Sequence, residues 1–119
     1  MIACLRTVHI PADQRARYLG WIAEGRGVRE AHGILAELVF EPTNGGGDAV
    51  VLTLWPSHEV FDAWIATPER DALTASDVHQ SVDYLPITRY EIAGGYLNLS
   101  SLPDHAPFPP NPPAEETRP

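Results

Sequence analysis

Residues 49 to 55 read AVVLTLW and are apolar at nearly every position. Residues 2 to 10 (IACLRTVHI) and 34 to 41 (ILAELVFE) have much the same character, and all three runs are bounded by proline or glycine. Short runs rich in β-branched and aliphatic residues form strands. A strand sends alternate side chains to opposite faces, so Val50, Val51, Leu52 and Leu54 cannot all lie beneath one layer of helices. Strands that are apolar on both faces have to be covered on both faces.

Between these runs the hydrophobic period changes. From residue 12 or 13 to about 24, Ala16, Leu19, Ile22 and Ala23 recur at helical spacing, with Asp13 placed to cap the helix and Gly25 and Gly27 to end or loosen it. The turn Pro42-Thr43-Asn44-Gly45-Gly46-Gly47-Asp48 joins the second and third strands as a hairpin. Pro56 stops that hairpin, and Ser57 caps a short helix with Val60, Phe61, Trp64 and Ile65 on one stripe. Thr67-Pro68 restarts a helix with proline at its first position, and Ala72, Ala75, Val78, His79 and Val82 share its face. A fourth strand is expected from about 84 to 93, followed by Gly94-Gly95 and a short apolar piece at 96–99.

The resulting order, β-α-β-β-α-β, predicts an α+β fold of the ferredoxin-like kind: a four-stranded antiparallel sheet with both helices on one face. Two helices leave the second apolar face uncovered. The simplest cover is the same face of a second copy about a two-fold axis, so a homodimer is expected.

Charge and composition exclude several classes of function. The chain carries 16 acidic residues against 8 basic ones, all of them arginine, for a formal charge of −8. Nucleic acid and anionic membrane surfaces both demand a basic patch, and none is present. Without lysine there is no Schiff-base chemistry and no phosphate-binding P-loop. Cys4 is the one cysteine, which rules out an internal disulfide, and no apolar run reaches the roughly 18 residues of a membrane span. The first residues show no apolar stretch followed by a small-residue cleavage site, so a cytoplasmic protein is expected. Seven of the 12 prolines fall within residues 103–119 (PDHAPFPPNPPAEETRP). One domain over residues 1–102 is therefore expected, followed by a Pro-rich tail that is disordered or packs on a partner subunit through Phe108.

The stretch Trp55-Pro56-Ser57-His58-Glu59-Val60-Phe61-Asp62-Ala63-Trp64, continued by Ile65-Ala66-Thr67-Pro68 within this element order, resembles the antibiotic biosynthesis monooxygenase family of the dimeric α+β barrels. The resemblance covers roughly residues 1 to 95. It implies a cleft between sheet and helices in which an aromatic phenol or quinol is oxidised by dioxygen without a cofactor. Relatives bind and degrade haem, and others have no known activity. An electron-rich phenolate can itself pass an electron to dioxygen, so the protein need only bind the ring, favour its anion and exclude water.

Candidate residues follow, each with an ordinary structural alternative. Trp64 stands where the resemblance places a pocket aromatic, though a large aromatic on an apolar stripe also serves as core. The same two readings apply to Phe61. Trp55 at the strand end is expected at the dimer interface. The oxygenases carry an asparagine at the position of Val60, which donates no hydrogen bond from its side chain. Haem-degrading relatives place a histidine ligand where this chain has Leu73 and an asparagine where it has Arg6, so no haem is expected. His79 is a candidate base, or else a hydrogen-bonded core histidine. Arg6 and Arg89, in strands otherwise built for burial, either stabilise a ligand anion or pair with Glu37, Glu41 or Glu91. Tyr18, Tyr84 and Tyr90 are candidate proton relays. His9 is placed at the pocket mouth or the dimer interface, and His58 in solvent. No histidine pair has metal-ligand spacing, so no metal is expected. Three functions remain: a cofactor-independent monooxygenase-like protein acting on a small aromatic phenol or quinol, a non-enzymatic small-ligand binding or interaction dimer, and, third, a haem-binding or haem-degrading relative, against which Leu73 and Arg6 argue.

Overall fold

The computed structural model describes residues 1–44, 46–96 and 98. At the centre of its antiparallel sheet is β1 (Ile2–His9), which pairs along its length with β3 (Ala49–Trp55), from Ile2 opposite Trp55 to Val8 opposite Ala49. The hairpin places β2 (Ala36–Phe40) on the far side of β3. Two short strands, β4 (Asp83–Tyr84) and β5 (Thr88–Glu91), pair with the other edge of β1. The strand order β2-β3-β1-β4, with β5 also on β1, is that of the expected α+β, ferredoxin-like sheet. It has five strands instead of four because Pro86, which has no amide hydrogen to give, interrupts the expected last strand.

The helices depart from expectation in two places. The chain leaves β1 through a 3-10 turn (Ala12–Gln14) closed by Gln14 N–H donating to the Pro11 carbonyl at 2.8 Å. Asp13 lies within this turn and does not cap α1 (Arg15–Glu24), which Gln14 precedes without a side-chain cap. Gly25 keeps a helix-like backbone (φ −82°, ψ −2°), and the chain coils on into α2 (Arg26–Ala31). Gly33, at φ +105°, is where the helical path turns out to β2. A Cβ on Gly33 would also stand 2.7 Å from Val60 Cγ1, so glycine is needed there twice over.

Ser57 caps α3 (His58–Ile65) by accepting from Val60 N–H at 3.2 Å, as its place after Pro56 predicts. Thr67 caps α4 (Pro68–Thr74), accepting from Arg70 N–H at 3.1 Å while its hydroxyl donates to the Trp64 carbonyl at 2.7 Å. The single helix expected after Pro68 is divided, because Ser76 accepts from His79 N–H and starts α5 (Asp77–Gln80). Val82 consequently lies beyond the helix, buried beside β4.

Pairing registers assign the two faces of the sheet. Ile2, Cys4, Arg6 and Val8 face the helices, and two apolar clusters form there. One joins Ile2, Cys4 and Trp55 to Phe61 and Trp64 of α3; the other joins Val8 to Tyr18 and Ile22 of α1 and to Val82. On the opposite face, Thr88, Leu5, Leu52 and Leu38 stand in one row across four strands, and Tyr90, Ala3, Leu54 and Ala36 in the next. Phe40 and Tyr90 on this face are about half exposed, at 46% and 52%. Among the described residues no helix is long and apolar enough to cross a membrane. Leu97 and Leu99 of the expected apolar piece, the boundary at 102, and the tail 103–119 with Phe108 lie outside the described residues.

Candidate functional site

Between the two clusters, and between sheet and helices, lies a cavity of about 120 Å³. Its apolar end is built at the turn from β3 into α3. Trp55 closes β3 and points to the helices, not to the sheet's outer face, so the expectation that it packs at a dimer interface is corrected. Strand alternation explains this: Trp55 shares its face with Thr53 and Val51, and its indole N–H donates to Thr53 Oγ1 at 2.9 Å. The Trp64 ring stacks on Trp55 with centroids 6.3 Å apart, and Phe61 meets Trp55 edge-on at 5.2 Å. Trp64 and Phe61 are 5% exposed and both line the cavity, so they are core and wall at once. Val60 packs against Gly33 and is not part of the wall.

The other end is polar. Arg6, four residues along β1 from the pairing partner of Trp55, reaches the cavity roughly 13 Å from the tryptophan end at strand spacing. Its guanidinium lies over the Tyr84 ring at 5.0 Å. His79 of α5 stacks on the same ring, centroids 4.4 Å apart and planes at 22°, with Trp21 of α1 5.3 Å away. Tyr18 completes this end from α1. Two atoms here are buried without a hydrogen-bond partner, Arg6 Nε and His79 Nδ1, while the Tyr84 hydroxyl meets only that of Tyr18. Buried polar atoms are nearly always paired, and each unpaired one carries a desolvation cost. Arg6, His79 and Tyr84 all line the cavity.

The electrostatics of this end follow from burial and crowded positive charge. Burial, reinforced by the charges of Arg70 and Arg6, pulls the His79 imidazole below its ordinary range, so it is neutral at pH 7 and able to accept a proton. Burial pushes the Tyr18 hydroxyl up to about 12 and raises that of Tyr84 further, so both stay protonated. Burial also lowers Arg6, with the Arg70 charge acting in the same direction, yet an arginine keeps its charge in proteins.

Arg29 and Glu37 line one side of the cavity as an ion pair at 3.5 Å. Arg29 is 7% exposed, donates to the Ile22 carbonyl at 2.9 Å and lies over the Trp21 ring at 5.1 Å. Burial raises the Glu37 carboxyl, while Arg29 and then Arg26 act to lower it. Sequence reasoning passed over Arg29 because Gly25 and Gly27 read as the end of a helix that in fact continues. Arg70, Trp21 and Leu73 also line the cavity, and Trp21 N–H donates to the Leu73 carbonyl at 3.2 Å. Arg70 carried no sequence signal beyond its place on α4, three residues after the Thr67 cap.

The remaining candidates stand elsewhere. Arg89 is outside the cavity wall; it lies over the outer side of Phe61 at 4.7 Å and donates to Asp62 at 2.7 Å. Its acidic partner is thus Asp62, none of the glutamates expected, because β5 brings it alongside α3. His58 is bound on both ring nitrogens, to Glu91 at 3.0 Å and to Arg89 at 3.2 Å, instead of standing free in solvent. Glu41 pairs with Arg15 and His9 with Asp48. Tyr90 is on the outer face, which leaves Tyr18 and Tyr84 as the tyrosines of the cavity. Among the described residues no group of three His, Cys, Asp or Glu side chains is placed to hold a metal ion.

No family model and no curated protein matches the chain. Solved structures do. The haem-degrader MhuD of Mycobacterium tuberculosis superposes with a TM-score of 0.64 at 20% identity, over 81% of this chain and 99% of that one. SnoaB, a cofactor-independent oxygenase of Streptomyces nogalater, gives 0.66 at 8% identity, over 79% and 94%. A crystal structure of an antibiotic biosynthesis monooxygenase gives 0.62 at 18% identity, over 79% and 100%. The chain has the fold of the antibiotic biosynthesis monooxygenase structures.

Proposed function

We propose that this protein is a cofactor-independent monooxygenase-like enzyme that oxidises a small aromatic phenol or quinol with dioxygen. The observation that carries this reading is the cavity itself, with stacked tryptophans at one end and the unpartnered Arg6 Nε and His79 Nδ1 at the other. The substrate ring lies against Trp55, Phe61 and Trp64. Neutral His79 takes the phenol proton at Nδ1, and Arg6 holds the phenolate oxygen. The phenolate passes one electron to dioxygen, and the aryloxyl radical and superoxide join at a ring carbon. The peroxide O–O bond then breaks, leaving one oxygen on carbon and releasing the other as water with the ring hydrogen and one proton. Arg89, held by Asp62 outside the wall, has no part in this scheme.

Haem is not the ligand in this reading. A benzene-sized molecule fits an apolar cavity of about 150 Å³, which sets the scale of one ring for this cavity and not of a porphyrin. Leu73 offers no ligand atom to iron. The outer sheet face, with its rows of Leu5, Leu38, Leu52 and Leu54, packs on a second copy in the same reading. A monodisperse monomer in sedimentation at micromolar concentration would refute the dimer.

One observation favours a second reading, a binding protein without turnover: Val60 places no hydrogen-bonding side chain where the family resemblance has an asparagine, and it does not face the cavity. Oxygen uptake with a panel of dihydroxybenzenes separates the two. Uptake that depends on His79 supports the enzyme; binding with no uptake across the panel supports the binder.

A further inference from the structure

The chain as a whole is strongly acidic, yet its cavity is not. Three arginines, Arg6, Arg29 and Arg70, line it against one carboxyl, Glu37. Arg29 takes that carboxyl. Arg6 and Arg70 have no carboxylate within ion-pair distance among the described residues, although the charge of Arg70 is felt at both Arg6 and His79. Like charges facing one partly dehydrated space repel each other, and a bound anion relieves that repulsion. A phenolate oxygen, as in the function proposed above, meets the need of Arg6 alone. Arg70 is left over, on the capped first turn of α4, where Thr67 and Pro68 fix its backbone.

We propose that the substrate is a single-ring hydroxy-aromatic carboxylate, whose carboxylate is held by Arg70 while its ring lies on the tryptophans and its hydroxyl meets Arg6 and His79. This inference rests on the reading of the cavity as the substrate site. The planar guanidinium fork suits a carboxylate, which it grips through two hydrogen bonds at once. A cavity of about 120 Å³ admits one ring with its substituents toward the open side. The cavity's charge also explains selectivity: in a chain of net −8, an anion is repelled everywhere except where unmatched arginines gather.

The test is anaerobic titration calorimetry of the full chain with 2,5-dihydroxybenzoate, its methyl ester and 1,4-dihydroxybenzene. The acid is expected to bind at least about tenfold more tightly than the ester, the scale of a charge-assisted hydrogen bond. Arg70→Met is expected to bring acid and ester to near-equal affinity, and Arg70→Lys to keep most of the preference. Equal binding of acid and ester by the unaltered protein overturns the inference, whatever the variants do. A preference that survives intact in Arg70→Met also overturns it. Oxygen uptake is then measured separately. Acid-selective binding without uptake leaves the inference standing and removes the oxygenase reading; uptake on 1,4-dihydroxybenzene with no acid preference does the reverse.

Discussion

Arg6→Met should make the protein more stable and less able to hold an anion. Arg6 is half-buried, its Nε has no acceptor, and the Arg70 charge acts against its own. An unsatisfied buried donor costs about 1–3 kcal/mol; because the side chain keeps some solvent contact, the lower end, about 1 kcal/mol, applies here. Methionine has a similar length and no polar hydrogen, so it removes that cost and the repulsion together. Against this stands the loss of the cation–π contact with Tyr84, about 0.5 kcal/mol at a partly exposed site. The difference is a gain of about 0.5 kcal/mol, which for a domain of this size raises Tm by roughly 2 °C, and relief of the repulsion adds to it. The assay is calorimetric unfolding of both proteins without ligand, beside the affinity of each for a phenolate. Affinity should fall about tenfold or more, the scale of a hydrogen bond to a charged group. A Tm lowered by several degrees would refute the reasoning, since it would make Arg6 a structural residue and not one held ready for a ligand.

Other outcomes follow from the same geometry. His79 binds its proton less readily folded than unfolded, so the unfolded chain takes up more protons as pH falls. Stability is therefore full above the ordinary histidine range near pH 6.5 and declines below it, and oxidation loses its base at lower pH still, as the folded protein's depressed His79 takes up its proton. A rate–pH profile of His79→Gln with the acid limb unchanged would remove the histidine from the mechanism. Trp64→Ala should cost about 3–5 kcal/mol and lower affinity for an aromatic probe, while Trp64→Phe should restore most of both. If Trp64→Ala stayed folded and bound the probe unchanged, the ring would be core only. Gly33→Ala should cost about 2–4 kcal/mol by denaturant unfolding, from its left-handed backbone and the clash with Val60. Part of that cost should be recovered in the Gly33→Ala, Val60→Ala double variant, and strict additivity would show the clash to be unimportant.

Most of the fold is legible in the chain because its signals are local. Pro11 and Pro56 end strands, Ser57 and Thr67 cap helices, and the glycine-rich turn at 42–48 leaves one pairing for the hairpin. Where the reading failed, a tertiary contact overrode a local rule. Gly25 continues a helical path because α2 packs Arg29 against Trp21 and Glu37, and Ser76 breaks the last helix by capping its remainder. Helical spacing put Trp64 and Phe61 on one apolar stripe, and the family resemblance made Trp64 a pocket aromatic. Arg29 and Arg70 were not legible as wall residues, since an arginine on a short helix looks alike in sequence whether it faces solvent or a cavity.

The sequence alone determined the broad order of elements and the two apolar faces of the sheet, because periodicity and turn chemistry act over a few residues, and its stretch from Trp55 to Pro68 carried the resemblance to the family whose fold this chain shares. Only the tertiary structure decided which polar groups meet. His79 and Arg6 are far apart in the chain, and both come to rest on the Tyr84 ring through separate elements. Arg89, a candidate on the same grounds as Arg6, is carried outside the wall to Asp62. Whether a charged side chain finds a partner, and thus whether it is free to serve a ligand, depends on contacts between residues distant in sequence, and no local pattern encodes them.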